Sequence, residues 1–367
     1  MHKKKTSICL ISPSLQMGGL ERVMCNLANY FCSEGYTVYY IVLYKFKKFY
    51  ELNEGIVYIE PKEKYIGSKL RYHVGLLRYI RTTVKACMPD TVLSFGDYHN
   101  AMVILALQGL NIPIYLSDRS SPSIHFGTFM RVFRKWAYRK STGIIAQTER
   151  AANQKRQMLG HNFNITVIPN VIREISAYPV KREKYILGVG RHDRVKGFDR
   201  LINAYALICT DWKLVLAGGG ANETDNLRRQ VKELKIEDNV IFLGKVTDID
   251  RIYAKAGIFC LPSRSEGFPN ALCEAMASGL PCVSFDIVAG PSDLIENNKN
   301  GILVKDGDIQ AMADQLFLLI NDATLREKLG NEASKIKEDL ALQVCGREFL
   351  RVITSQLYNV GGPVIVG

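Results

Sequence analysis

Residues 262–283 read PSRSEGFPNALCEAMASGLPCV, and the junction they form decides the fold. The apolar run 258–261 just before them has strand character, which Pro262, Ser263, Ser265 and Gly267 break. Residues 270–278 then supply good helix formers, among them Ala271, Leu272, Glu274, Ala275, Met276 and Ala277, and Gly279 with Pro281 closes the run. A helix begins with backbone N–H groups that lack intrahelical partners and with a partial positive charge, so this start suits a phosphate. Glu266 lies on the loop before it and Glu274 about one turn inside, where carboxylates can accept hydrogen bonds from hydroxyls. Taken alone, the pair also fits two solvated charges on an ordinary strand-loop-helix unit.

Short apolar runs of the same kind recur along the chain with helix-like stretches between them. The first series is 7–12, 37–43, 57–60, 91–95, 114–117, 143–146 and 166–168; the second is 185–189, 213–217, 240–243, 258–261, 282–285 and 301–304. Alternating strand and helix predicts an α/β fold with parallel sheets and crossover helices, and two series predict two sheets. A length of 367 residues is enough for two cores. Between the series, Ile168-Pro169-Asn170-Val171 precedes a stretch, 173–184, with little apolar pattern and with Pro179 inside it. The predicted division is therefore 1–172, 173–340 and a last segment 341–367. In that segment 342–358 has helical spacing and no strand after it, so it can pack back across the junction. The tail from Gly361 is expected to be loose.

Each series opens with a strand that runs into a glycine-bearing turn and then a helix. In the first turn Gly18 and Gly19 stand just ahead of the helix; the second reads Gly190-Arg191-His192-Asp193-Arg194-Val195-Lys196-Gly197. Glycine lets backbone approach a ligand closely. Arg191, a planar fork, and Lys196, a mobile point charge, can together offset the charge of a diphosphate. Both turns lie at the carboxyl end of a first strand, where open parallel sheets bind ligands.

The composition, 47% apolar and 23% charged, is that of a folded protein. No stretch approaches the ~20 uninterrupted apolar residues of a spanning helix. The start, MHKKKTSICLISPS, puts a basic run ahead of apolar residues, but 8–11 is too short for a signal h-region and leads directly to the glycine turn. It reads as a buried first strand of a cytoplasmic chain. Nine cysteines, scattered through apolar segments with no C-x-x-C pair, read as small buried hydrophobes in a reducing compartment rather than as a zinc site.

The net charge of +12 is unevenly shared: residues 1–172 carry 23 Lys plus Arg against 10 Asp plus Glu, and the remainder 25 against 26. Within the first half it concentrates in 62–85 and 126–140. The second of these interleaves Arg131, Arg134, Lys135, Arg139 and Lys140 with Phe129, Met130, Phe133, Trp136 and Tyr138. Such helices suit an anionic membrane surface, where each basic residue contributes ~1 kcal/mol, or equally a half-buried helix with a solvated basic face. No helix-turn-helix, RNA-binding aromatic motif or zinc pattern accompanies the charge, so nucleic acid is not an expected partner.

With these pieces in place the chain resembles glycosyltransferase family 4, retaining enzymes of the GT-B fold. The resemblance is carried by GGLER at 18–22, VIPNVI at 167–172, GVGRHDRVKGFDRLINAYA at 188–206, LAGGG at 216–220, FLG at 242–244 and SEGFPNALCEAMASGLPCV at 265–283. It covers most of the chain and is more specific in the second half. It implies two Rossmann-like domains facing across a cleft, a C-terminal helix crossing back to the first, and a nucleotide-sugar donor held mostly on the second. Arg191 and Lys196 would bind the diphosphate and, with Glu266, carry catalysis. Glu266 would also hold sugar hydroxyls, Glu274 the ribose hydroxyls, and the amides at Asn270, Ala271 and Leu272 the phosphate and sugar. Gly190, Gly267, Phe268 and Pro269 would complete the donor site, Lys245 and Val246 would lie near the base, and Gly18 and Gly19 would cover the diphosphate. Fixed cations at a departing diphosphate lower the barrier. No Asp-x-Asp pair is read as a metal motif, the two such triplets being 248–250 and 306–308, so neither a metal nor another cofactor is expected. Retention in such enzymes is ascribed to front-face attack, with the leaving phosphate taking the acceptor's proton.

Many members carry a His near the donor sugar, at the end of the strand that here is 114–117. This chain has Asp118-Arg119-Ser120 there, with His99 and His125 elsewhere, as in branches that transfer amino sugars or hexoses in polysaccharide and lipid-linked glycan assembly. Asp118, Arg119 and His99 are expected to contact donor sugar or acceptor, unless Asp118 and Arg119 only form a capped turn. The implied function is transfer of a hexose or N-acetylhexosamine from a nucleotide diphosphate sugar, UDP-linked, to a glycan or lipid-diphosphate-linked acceptor. The basic first domain implies peripheral contact with the anionic inner face of the cytoplasmic membrane. A nucleotide-sugar 2-epimerase of the same architecture and an inactive glycan-assembly subunit are the alternatives. Incubation with donor alone separates the first, and donor binding the second.

Overall fold

The computed structural model of the protein describes residues 5–62, 69–119, 127–288 and 290–358. The tail from Gly361, residues 63–68 of the first basic segment, Ser120, His125 and Phe126 lie outside these. The described residues form two compact units, one drawn from Met1–Val171 and Ala341–Gly367, the other from Ile172–Leu340. Ile172, expected to end the first domain, belongs to the second: its N–H donates to Leu340 O at 3.0 Å and joins the start of that unit to its end.

In the first unit, β1 (Ser7–Ser12), β2 (Thr37–Val42), β3 (Val57–Ile59), β4 (Thr91–Phe95), β5 (Ile114–Ser117), β6 (Gly143–Ala146) and β7 (Ile165–Val167) form a parallel sheet in the order β3-β2-β1-β4-β5-β6-β7. Strands β1, β4, β5 and β6 are buried at every position, because helices cover both faces of a parallel sheet, and so they read as continuous apolar runs. Leu10 of β1 stands opposite Tyr40 on one side and Leu93 on the other. The helix Leu342–Tyr358 returns to this unit, with Phe349 stacked on Phe95 at 6.2 Å and Ser355 Oγ 3.1 Å from Tyr115 OH.

The second unit repeats the plan with β8 (Tyr185–Val189), β9 (Lys213–Ala217), β10 (Val240–Gly244), β11 (Ile258–Leu261), β12 (Cys282–Asp286) and β13 (Ile302–Lys305), ordered β10-β9-β8-β11-β12-β13. Its core gathers Ile186, Phe198, Leu201, Leu216, Phe285 and Leu316 between sheet and helices, each worth ~1.5–3 kcal/mol when fully buried. All thirteen predicted strands are present, each end within one residue of its expected place. In both sheets the strand order turns at the first strand, between β1 and β4 and between β8 and β11. Open parallel sheets bind ligands at such turning points.

The two basic segments fold differently. The helix Lys69–Cys87 buries Leu76, Ile80 and Val84 and turns Arg71, Arg78 and Lys85 to solvent, a half-buried helix with a solvated face. The helix Thr128–Tyr138 buries Arg134, Ala137 and Tyr138 instead. Among the described residues no helix is long and apolar enough to cross a membrane.

Candidate functional site

The loops that leave β8 and β11 meet at the turning point of the second sheet. After β8, the Asp193 carboxylate accepts the Lys196 N–H at 3.0 Å and caps a short 3₁₀ turn, Arg194–Lys196. Gly197 follows with φ +68°, and a Cβ there would stand 2.1 Å from Pro262 O, so a side chain would push the two loops apart. Arg264 fastens them. Its guanidinium donates to both Asp199 oxygens at 2.7 and 2.6 Å and to Arg194 O at 2.9 Å, while its amide donates to Val195 O at 2.8 Å. Burial pushes the Asp199 carboxyl up, but the hydrogen bonds and charge of Arg264 outweigh it and hold the group below its ordinary value.

This clamp puts Lys196 on Glu266. The ammonium donates to Oε1 at 2.8 Å and Oε2 at 3.0 Å, and Ser263 Oγ donates to Oε1 at 2.6 Å. Glu266 is 7% exposed at its side chain and Lys196 22%, so the acid is desolvated and needs its partners while the cation keeps a side toward solvent. Arg191 stands apart from the pair. Its side chain is 81% exposed and bonds Asp193 Oδ2 at 3.1 Å, so one carboxylate steadies the Arg191 side chain and the Lys196 backbone together.

Glu274 lies in the helix Asn270–Ala277, whose first residue follows Pro269 without a side-chain cap. Its Oε1 accepts from Arg173 Nε at 3.2 Å and its Oε2 from Tyr253 OH at 3.3 Å. Arg173 also donates to Asp250 through both terminal nitrogens. Burial disfavours the Arg173 charge, yet the bonds to Asp250 and the charge of Glu274 win and raise its pKa. Burial, and then Glu274, raise that of Tyr253. Of the three amides expected to hold phosphate, Asn270 donates to Phe268 O at 3.0 Å and Leu272 to Pro269 O at 2.9 Å, which leaves Ala271 without a backbone bond among the described residues. Gly267 is half-buried and Phe268 and Pro269 buried on the same loop.

Gly190 belongs to a ledge formed by the carboxyl ends of β8, β9 and β10. Gly218 has φ +137°, and a Cβ on it would lie 1.7 Å from Gly190 O; its N–H donates to Gly244 O at 2.8 Å, and His192 N–H donates to Gly219 O at 3.1 Å. Exposed Lys245 and half-buried Val246 follow β10 on this edge. The His192 ring is buried beneath it, with Nδ1 2.7 Å from Thr224 Oγ1 and its edge on Phe198 and Phe242.

In the first unit Gly18 and Gly19 open the helix Gly19–Ser33 at the carboxyl end of β1, where Tyr50 OH donates to Gly18 O at 3.0 Å. His99 sits after β4, its Nε2 2.9 Å from Tyr44 OH, and burial lowers its pKa to about 4. Asp118, expected at the donor sugar or acceptor, is buried after β5 and bonded on both carboxylate oxygens. Its carboxylate takes Tyr138 OH at 2.6 Å, Asn100 Nδ2 at 2.9 Å, Arg134 Nη2 at 2.9 Å and the Lys155 ammonium, which fills its lone pairs. Burial pushes this acid up, but Lys155 and Arg134 prevail and bring it to about 2. Arg119 lies over the rings of Phe95 and Phe349 at 4.7 and 5.4 Å and donates to Asn170, which ties the last helix to the first sheet.

Sequence reading missed Arg173, Ser263, Arg264 and Asp193 as members of the site. Arg173 was hidden in the stretch read as a linker, although it directly follows the VIPNVI segment at 167–172.

Two doubly wound units of this strand order, with charged loops gathered at the carboxyl edge of the second, define a GT-B architecture. The crystal structure of Anabaena Alr3699/HepE in complex with UDP superposes with a TM-score of 0.79 at 18% identity, over 95% of this chain and 100% of that one. The chain belongs to the glycosyltransferases: the family model Glycosyltransferase Family 4 matches residues 17–174, and Glycosyl transferases group 1 matches residues 172–336. It is 31% identical over 332 residues to an uncharacterized glycosyltransferase of Haemophilus influenzae, spanning 89% of this chain and 93% of that protein. It is 29% identical over 360 residues to the GalNAc-alpha-(1->4)-GalNAc-alpha-(1->3)-diNAcBac-PP-undecaprenol alpha-1,4-N-acetyl-D-galactosaminyltransferase of Campylobacter jejuni, spanning 94% of this chain and 98% of that one.

Proposed function

We propose that this glycosyltransferase moves a hexose or N-acetylhexosamine from a UDP-sugar to a lipid-diphosphate-linked glycan at the inner face of the cytoplasmic membrane, with retention of configuration. The observation that carries the reading is the Lys196 ammonium on both oxygens of Glu266, at 2.8 and 3.0 Å, where the loops after β8 and β11 meet. Lys196 and exposed Arg191 take the diphosphate. As the anomeric bond breaks, its electron pair goes to the diphosphate oxygen, and these cations stabilise the new charge without a metal or other cofactor. Glu266 accepts hydrogen bonds from the sugar hydroxyls and Glu274 from the ribose, while the Ala271 amide at the helix start meets a phosphate oxygen. Lys245 and Val246 border the base. The acceptor hydroxyl attacks from the face the diphosphate leaves, and its proton passes to the departing phosphate.

The UDP bound by the Anabaena neighbour supports the donor class, and the undecaprenol-linked substrate in the Campylobacter relative's name supports the acceptor class. The test is incubation with UDP-GalNAc, UDP-GlcNAc or UDP-glucose and an undecaprenyl-diphosphate-linked saccharide, with and without EDTA. An α-linked product by NMR, formed equally with chelator, is expected. A β-linked product, or epimerised donor in the absence of acceptor, contradicts the reading.

A further inference from the structure

The helix Thr128–Tyr138 is amphipathic in reverse. Its inner face carries Arg134, which reaches Asp118 at 2.9 Å and Tyr138 OH at 3.0 Å. Its outer face carries Phe129, Val132 and Trp136, exposed by 82%, 62% and 40%, with half-buried Phe133 among them. The three rings stack along the helix, Phe129 on Phe133 at 6.5 Å and 13°, Phe133 on Trp136 at 5.9 Å and 16°. They form one ordered apolar strip, and a strip of this kind on a folded surface marks a contact.

Charge identifies the partner. Exposed Arg131, Lys135, Arg139 and Lys140 flank the rings, and no Asp or Glu occurs between Asp118 and Glu149. Rings that can enter the boundary between headgroups and acyl chains, beside long basic side chains that can reach lipid phosphates, fit an anionic bilayer. The helix Lys69–Cys87 is as basic but turns its Leu76, Ile80 and Val84 into the core, so it offers no such strip. We propose that the face bearing Phe129, Val132, Phe133 and Trp136 docks the protein on anionic phospholipid. The inference does not depend on the transferase reading, since lipid alone is the ligand.

The chain holds two tryptophans, Trp136 on the strip and Trp212 at 5% exposure, so fluorescence reports the contact. Full-length protein is titrated with vesicles of brominated phosphatidylcholine, with and without phosphatidylglycerol. Quenching that requires the anionic lipid, weakens with salt and disappears in Trp136→Phe is expected. Phe129→Ser with Val132→Ser should lower partitioning at least tenfold while UDP binding by calorimetry stays unchanged. The proposal is overturned if vesicles fail to quench, if quenching survives in Trp136→Phe, or if the double variant partitions like wild type. Shielding of Trp136 by a soluble glycan in place of vesicles also overturns it.

Discussion

The Asp118 cluster of the first unit and the Lys196–Glu266 pair of the second each set a buried acid against bases near the carboxyl ends of parallel strands, yet one is sealed and the other open. Asp118, Arg134 and Lys155 have side chains 7%, 7% and 9% exposed, and the carboxylate is saturated. Lys196 keeps 22% of its side chain exposed and Arg191 81%. A sealed cluster can only hold the scaffold, whereas an open one retains donors for a ligand. Satisfaction and exposure separate the two where residue type does not.

The comparison breaks if the clusters exchange phenotypes. Asp118→Ala strands Arg134 and Lys155 and should cost about 3–5 kcal/mol in urea unfolding, with little change in turnover per folded molecule. The sign with pH follows: because the folded pKa, about 2, lies below the unfolded value near 4, this stability is full above pH ~4 and is lost as pH falls toward 2. Lys196→Ala and Glu266→Ala should each lower transfer by roughly a hundredfold or more, assayed with radiolabelled donor, and cost less in urea unfolding than Asp118→Ala, since the open side of the pair admits water to the group left behind.

Smaller effects sharpen the contrast. His99 has a folded pKa of about 4, so between pH 6.5 and 4 the unfolded chain binds a proton that the folded chain refuses. Stability should fall with pH across that window by an amount on the order of 2 kcal/mol, and His99→Gln should flatten the slope of unfolding against pH. Arg173→Ala removes the group that orients Glu274, and calorimetry should show UDP binding weakened by about tenfold, or ~1.4 kcal/mol.

The fold was legible because buried parallel strands are written as short continuous apolar runs, and the crossover helices space them. Lys196 and Glu266 could be singled out because their loops begin at strand ends, and Glu274 because a helix starts just after one. The groups that hold them could not. Arg264 finds Asp199 across 65 residues and Arg173 finds Asp250 across 77, pairings that no local pattern encodes. The orientation of Thr128–Tyr138 was equally hidden: its periodicity marks a stripe, but Asp118 draws Arg134 inward, and that turns the aromatic face out.

Calorimetric titration of UDP and of the matching UDP-sugar into wild type, Lys196→Ala and Glu266→Ala tests the central claim most directly. With Lys196 on the diphosphate and Glu266 on the sugar, Lys196→Ala should weaken both ligands at least tenfold, while Glu266→Ala should weaken only the UDP-sugar. Equal binding of both ligands by all three proteins, or loss of UDP binding in Glu266→Ala, would contradict it.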